Sequence, residues 1–213
     1  MNFHHVLKRH YLTNEALSEK LIQQGRIVSL PKGKFLFFQE QMADFVAIPL
    51  DGVLGFYPAI DEGITLIYNL ITPGIIINDV PFILGGGSQA DIQAVTDCTV
   101  LLLPFSAVEQ LMGTCCEFSK MLNLSLARKQ RFCLTLFQLR GEKNIQRKID
   151  MALAAISVAT SDGSIPLNIS TLASLLNMSR NTVGRHINQA LLTGQIVKSS
   201  TGYRLVENRS VAA

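Results

Sequence analysis

The chain has 213 residues, 48% of them hydrophobic and only 16% charged, which is ample material for one large core or two modest ones and excludes a disordered polyelectrolyte. The net charge of +3 is unevenly divided: residues 1–113 hold six Lys/Arg against eleven Asp/Glu, a balance of −5, and residues 114–213 hold thirteen against five, a balance of +8. No apolar run reaches the length of a membrane span, and an acidic half joined to a basic half suggests separate tasks, the basic half facing a polyanion.

The opening Met1-Asn2-Phe3-His4-His5 leads into a polar segment without the apolar stretch of a secretory signal, so a cytoplasmic protein is expected. Residues 3–24 read as a helical lead-in, with Leu7, Tyr11, Leu12, Leu17, Leu21 and Ile22 at helical spacing. From about residue 27 to 104 the texture becomes β-rich. Short runs are expected as strands at Ile27–Leu30, Phe35–Phe38, Phe45–Leu50, Val53–Tyr57, Ile64–Leu70, Ile75–Ile77, Ile92–Val95 and Val100–Leu103. Pro31-Lys32-Gly33, Asp51-Gly52, Asp61-Glu62-Gly63, Thr72-Pro73-Gly74 and Gly85-Gly86-Gly87 separate them, a pattern that predicts an antiparallel sandwich or barrel.

After Pro104 the period turns helical. Ser106–Met112 predicts a short helix, and Glu117–Arg140 a long one that stops at Gly141. The long helix would measure about 36 Å. Phe118, Met121, Leu122, Leu126, Phe132, Cys133, Leu136 and Phe137 place apolar character on more than one of its sides. One side would pack on the helix's own barrel and another on a partner helix, which implies a homodimer. Asn144–Thr160 predicts a further helix, with Ile145, Ile149, Ala152, Leu153 and Ile156 on one stripe, broken by Ser161-Asp162-Gly163-Ser164.

Residues 168–192 read as two helices and a tight turn. Asn168 would cap the first helix, and Leu172, Leu175 and Leu176 would form its buried face. Asn177 stands where the chain must turn and tolerates the left-handed conformation; Met178 would fill the space between the helices and Ser179 would cap the second. In that second helix Val183, Ile187 and Leu191 are expected to point inward, and Arg180, Asn181, Gly184, Arg185 and Asn188 to share the outer face. Arg pairs with guanine O6 and N7, and Asn with adenine N6 and N7, so such a face suits the major groove. Gly163 to Val206 contains no Asp or Glu, which would repel phosphates. Gly194–Lys198, the turn Ser199-Ser200-Thr201-Gly202 and Tyr203–Val206 predict a β-hairpin wing that carries Lys198.

In this order of parts the chain resembles the CRP/FNR family of bacterial transcription regulators. The resemblance implies an α+β fold: an N-terminal antiparallel β-barrel of the jelly-roll, cyclic-nucleotide-binding type (residues 1–113), a long dimerisation helix (114–140) and a C-terminal winged helix-turn-helix (141–213). The stretch Asn177-Met178-Ser179-Arg180-Asn181-Thr182-Val183-Gly184-Arg185 is similar to the family's recognition helix. That likeness implies guanine contacts from Arg180 and Arg185 and phosphate contacts from Ser179 and Thr182. Asn181 stands where the family has an acid, which shifts the preference at that base pair toward A·T. The implied partners are double-stranded DNA at a palindromic site, a second copy of the chain, and RNA polymerase; no membrane and no enzymatic activity are expected.

Family members that bind cyclic nucleotides carry a Gly-Glu pair for the ribose and an Arg-Ser pair for the phosphate. The corresponding region here, Gly74–Asp79 and then Gly87-Ser88-Gln89-Ala90-Asp91, lacks the Arg and adds Asp91. No cofactor is therefore expected, and a cyclic nucleotide is disfavoured. An effector or redox event in the barrel could reorient the winged domains about Gly141; a barrel without a ligand would leave the protein constitutively active. Cys98, Cys115, Cys116 and Cys133 form no CxxC and are expected to be mostly buried thiols, with a redox role for Cys115 and Cys116 left open. With no Cys before Cys98, the family's iron–sulfur cluster is not expected. His4, His5 and His10 are expected to be solvated, and residues 11–185 contain no His, which argues against a cupin-type metalloenzyme. The competing function is a ligand- or protein-binding sensor module with a vestigial DNA-binding domain.

Overall fold

The segment CTVLLLP shows no polar–apolar alternation, and a strand of that kind needs cover on both faces. It forms β7 (Cys98–Pro104), the central strand of an antiparallel sheet flanked by β1 (Arg26–Leu30) and β3 (Phe45–Asp51). The computed structural model describes residues 2–58, 67–160, 163–200 and 202–206. They fall into two units, Met1–Cys133 and Leu134–Ala213.

In the first unit, Val100 and Leu102 of β7 pack with Phe37, Ala47, Leu54, Ile71, Ile77, Ile92 and Ala94. Several of these come from a second antiparallel sheet, ordered β2 (Phe35–Phe37), β6 (Asp91–Ala94), β4 (Leu54–Tyr57), β5 (Asn69–Ile71). The opposite face of β7, with Leu101 and Leu103, joins Val46 and Ile48 of β3 beneath helices. These are α1 (Phe3–Tyr11), α2 (Glu15–Gln24), α4 (Phe105–Thr114) and the start of α5 (Cys116–Gly141). They contribute Leu7, Tyr11, Leu17, Leu21, Val108, Leu111, Phe118, Met121 and Leu122 to that cluster.

Several expectations need correction. The β region is two sheets rather than a closed barrel among the described residues. Ile77 makes one bridge to Ala47, and then Asn78 takes a left-handed conformation (φ 62°) that turns the chain into α3 (Asp79–Leu84) and ends the ladder. The expected strand Ile75–Ile77 is therefore only a bridge, and α3 was not foreseen. Of the expected strand Ile64–Leu70, residues 64–66 and the turn Asp61-Glu62-Gly63 lie outside the described residues, and β5 covers Asn69–Ile71. The N-terminal lead-in divides in two because Leu12 adopts φ 55° as the C-cap of α1, which leaves it exposed rather than on the buried stripe. Gly141 is the last residue of α5 rather than a stop beyond it. Only Cys98 is buried; Cys116 and Cys133 are exposed on α5, and Cys115 is intermediate. Burial pushes the Cys98 thiol up to about 11, so it stays protonated.

The second unit packs α6 (Ile145–Ala159), α7 (Ile169–Leu176) and α8 (Arg180–Leu192) with a small sheet ordered β8 (Ser164–Ile165), β10 (Gly202–Leu205), β9 (Ile196–Ser199). Ile149, Leu153, Ile156, Ile165, Leu172, Leu175, Leu176, Val183, Ile187 and Ile196 are among its buried side chains. The two-residue β8, too short to show a period, adds a third strand to the β9–β10 hairpin. Gly202 permits this: a Cβ there would fall 2.2 Å from the Ile165 carbonyl oxygen.

Tyr11 ties α1 to the first sheet. Its hydroxyl donates to the Pro49 carbonyl of β3 at 2.7 Å in a buried setting, and burial keeps the phenol protonated well above its ordinary range. Tyr11→Phe leaves that carbonyl unpaired and should lower the unfolding free energy by about 1–2 kcal/mol, measured by chemical denaturation; an unchanged midpoint would show that the bond contributes nothing net.

Candidate nucleic-acid interface

Helices α7 and α8 are set by three short polar side chains. Asn168 caps α7, its Oδ1 accepting from the Thr171 N–H at 2.8 Å. Asn177 turns the chain at φ 51°, ψ 53°, and the Met178 N–H closes back onto the Ala173 carbonyl at 2.9 Å. Ser179 caps α8, accepting from the Thr182 N–H at 3.1 Å, and its hydroxyl also meets the Thr182 hydroxyl at 2.8 Å. Each cap satisfies a backbone donor that the first turn of a helix leaves open. Met178 is half-buried below this turn.

Val183, Ile187 and Ala190 form the buried stripe of α8. Leu191, expected there, is only half-buried, because Ala190 holds the inward position one residue earlier. Gly184 is not on the outer face: a Cβ at that position would stand 3.7 Å from Ile169 Cγ2, so the residue faces α7. Asn181, Arg185 and Asn188 are exposed and, at about 100° per residue, share an arc of about 60°. Arg180 lies off that arc but is exposed on the first turn, where the helix end projects. Thr182 is half-buried and Ser179 exposed. Lys198 is exposed on β9, an element that packs beside α8.

One feature here went unread in the sequence. His186, its side chain 11% exposed, meets Asp150 of α6 with Nε2 2.8 Å from Oδ1. The pair fastens α8 to α6 on the side away from Asn181 and Arg185. A His at helical spacing from Val183 and an Asp in α6 were the only signals, and neither reveals the other without the packing. Glu142, the other described acid of this unit, lies 3.4 Å from Arg147. Both carboxylates thus sit beside a basic side chain.

In the first unit, polar side chains of α5 converge on residues 74–79. Ser125 Oγ, fully buried, accepts from the Ile76 N–H at 2.7 Å. The Arg128 guanidinium donates to the carbonyls of His10 and Gly74. Lys129 donates to Asp79 Oδ1 in an ion pair whose carboxylate is 2% exposed. Burial lowers the Lys129 ammonium from its ordinary range, and the Asp79 charge opposes that shift. Nearby, Asp91 Oδ1 accepts from the Gln39 N–H at 2.7 Å and Ser88 Oγ donates to the Ala90 carbonyl at 2.9 Å. His4, His5 and His10 all lie on α1, and among the described residues no three His, Cys, Asp or Glu side chains are grouped as metal ligands. No described helix is long and apolar enough to cross a membrane.

Residues 27–115 match the cyclic nucleotide-binding domain family. No curated protein matches the sequence. Solved structures do match the fold. FixK2 from Bradyrhizobium japonicum superposes with a TM-score of 0.73 at 19% identity, over 89% of this chain and 99% of its own. The c-di-GMP-responsive global regulator CLP from Xanthomonas campestris gives 0.71 at 14% identity, over 92% and 100%. CooA from Carboxydothermus hydrogenoformans gives 0.68 at 19% identity, over 97% and 92%.

A cyclic nucleotide needs a cation for its phosphate and free acceptors for its ribose hydroxyls. From Phe35 to Ser119 the sequence has no Lys or Arg, so any cation must come from outside that stretch. Lys129 and Arg128 of α5 are already engaged, as are Asp79 Oδ1, Ser88 Oγ and Asp91 Oδ1. These residues leave no unengaged cation for the phosphate, although residues 27–115 match a family described by its cyclic-nucleotide binding. By sequence, residues 27–115 match the cyclic nucleotide-binding domain family, and the chain shares its fold with these solved structures.

Proposed function

We propose that the chain is a transcription regulator that binds double-stranded DNA in a sequence-specific way, as a homodimer on palindromic promoter sites. One observation carries the reading: α8 presents Asn181, Arg185 and Asn188 on one solvent arc with Arg180 at its leading turn, within a stretch from Gly163 to Val206 that has no carboxylate. Arg180 and Arg185 would read guanine edges, and Asn181 and Asn188 would favour adenine. Ser179 and Thr182 would hold phosphates where the N-terminus of α8 offers its own partial positive charge. Lys198 would contact phosphate from the wing.

The dimer half of the reading rests on α5. Leu134 is 56% and Phe137 73% exposed, about 60° apart around the helix and away from its buried stripe. Pairing along α5 would cover them and set two α8 helices about 34 Å apart, one turn of duplex. The regulator would act in the cytoplasm beside RNA polymerase and catalyse no reaction. The exposure of Arg180 and Arg185 counts against a vestigial DNA-binding domain.

Arg180→Ala and Arg185→Ala should each weaken specific binding by about 1–3 kcal/mol and relax sequence preference at one position of each half-site, read by gel shift against wild-type and altered duplexes. Binding that ignores both substitutions would refute the assignment. Lys198→Ala should weaken all sequences alike and reduce the slope of log affinity against log salt by about 1. For the α8 anchor, His186→Ala and Asp150→Ala should each lower stability by about 1 kcal/mol, with the double variant losing less than the sum; strict additivity in a denaturation cycle would mean the two do not interact.

A further inference from the structure

We propose that the effector position of this domain is filled from within: Ser125, Arg128 and Lys129 of α5 take the hydrogen-bonding groups of residues 74–79, so that the long helix is seated on the sandwich with no anionic effector. Three contacts on two successive turns support this. Ser125 takes the Ile76 N–H, Arg128 the Gly74 carbonyl, and Lys129 the Asp79 carboxylate. The backbone is shaped for them. Gly74 has φ +105°, which favours glycine, and a Cβ there would fall 2.5 Å from Arg128 Nη1 and push the guanidinium from its present place.

Asp79 and Lys129 neutralise each other, and between Lys34 and Lys120 the sequence supplies no other cation. A phosphate entering beside Asp79 would meet a buried carboxylate whose cation is already paired, and the Arg128 guanidinium could serve it only by giving up the His10 and Gly74 carbonyls, which is unfavourable. The buried polar atoms still unpartnered here are one acceptor, Asp79 Oδ2, and one donor, Asn78 Nδ2. Tyr11, Arg131 and Cys133 are the further titratable groups that act on Arg128 and Lys129.

The part of this inference that concerns DNA rests on the DNA-binding reading; the part that concerns ligands does not. Full-length protein is titrated calorimetrically with cyclic AMP, cyclic GMP and c-di-GMP, and its affinity for a palindromic duplex is measured with and without each. No heat of binding and an unchanged DNA affinity are expected. The charge-free double variant Asp79→Asn with Lys129→Met leaves no buried ion unpaired, so it should fold, yet its DNA affinity should fall on the order of tenfold because the helix has lost its tether. Lys129→Met alone should fold less stably than the double variant. Saturable binding of any of the three nucleotides, or wild-type DNA affinity in the double variant, would overturn the proposal. A wild-type protein that binds no duplex would refute the DNA-binding reading instead, and the calorimetry would still decide whether the effector position is filled.

Discussion

A strand with apolar side chains on both faces requires a layer on each side of it, and β7 imposes that condition on the first unit. Val100 and Leu102 draw the second sheet over one face. Leu101 and Leu103 draw α1, α2, α4 and the start of α5 over the other. The path of the long helix follows from this. Phe118, Met121 and Leu122 belong to the helical side of the β7 core, and that seat directs Ser125, Arg128 and Lys129, one and two turns later, at residues 74–79.

The second unit depends on local hydrogen bonding more than on mass of core. Asn168, Asn177 and Ser179 are short polar residues whose side chains or backbone preferences favour helix ends over helix interiors. Their spacing defines α7, a three-residue turn and α8. Once those ends are set, the buried stripe of Val183, Ile187 and Ala190 orients α8, and the polar arc of Asn181, Arg185 and Asn188 is what remains for solvent. His186 and Asp150 add a polar fastening across to α6.

Charge is distributed to match. The sandwich holds no basic residue between Lys34 and Lys120, and the described acids of the second unit, Glu142 and Asp150, each sit beside a basic partner. Among the described residues, the exposed arginines of α8 therefore meet little opposing charge within their own unit, a condition that the proposed DNA-facing surface requires. In the first unit the buried Lys129–Asp79 pair does the opposite: it removes a charge that a ligand could have used.

Periodicity and capping chemistry made the helix–turn–helix of 168–192, the long helix and most of the strands legible in the sequence, because those signals act between residues a few positions apart. They also determined which residue types α8 would show to solvent. Where one residue reverses the backbone the reading failed: Leu12 splits the lead-in, and Asn78 ends a ladder and begins α3. It failed again where packing decides between neighbours, placing Gly184 against Ile169 and Ala190 rather than Leu191 in the core. Only the tertiary structure could pair Asp79 with Lys129, 50 positions apart, and Asp150 with His186, 36 apart. Such pairings depend on how whole elements stack, and no local pattern of residues encodes which two distant side chains a shared core will bring within a hydrogen bond.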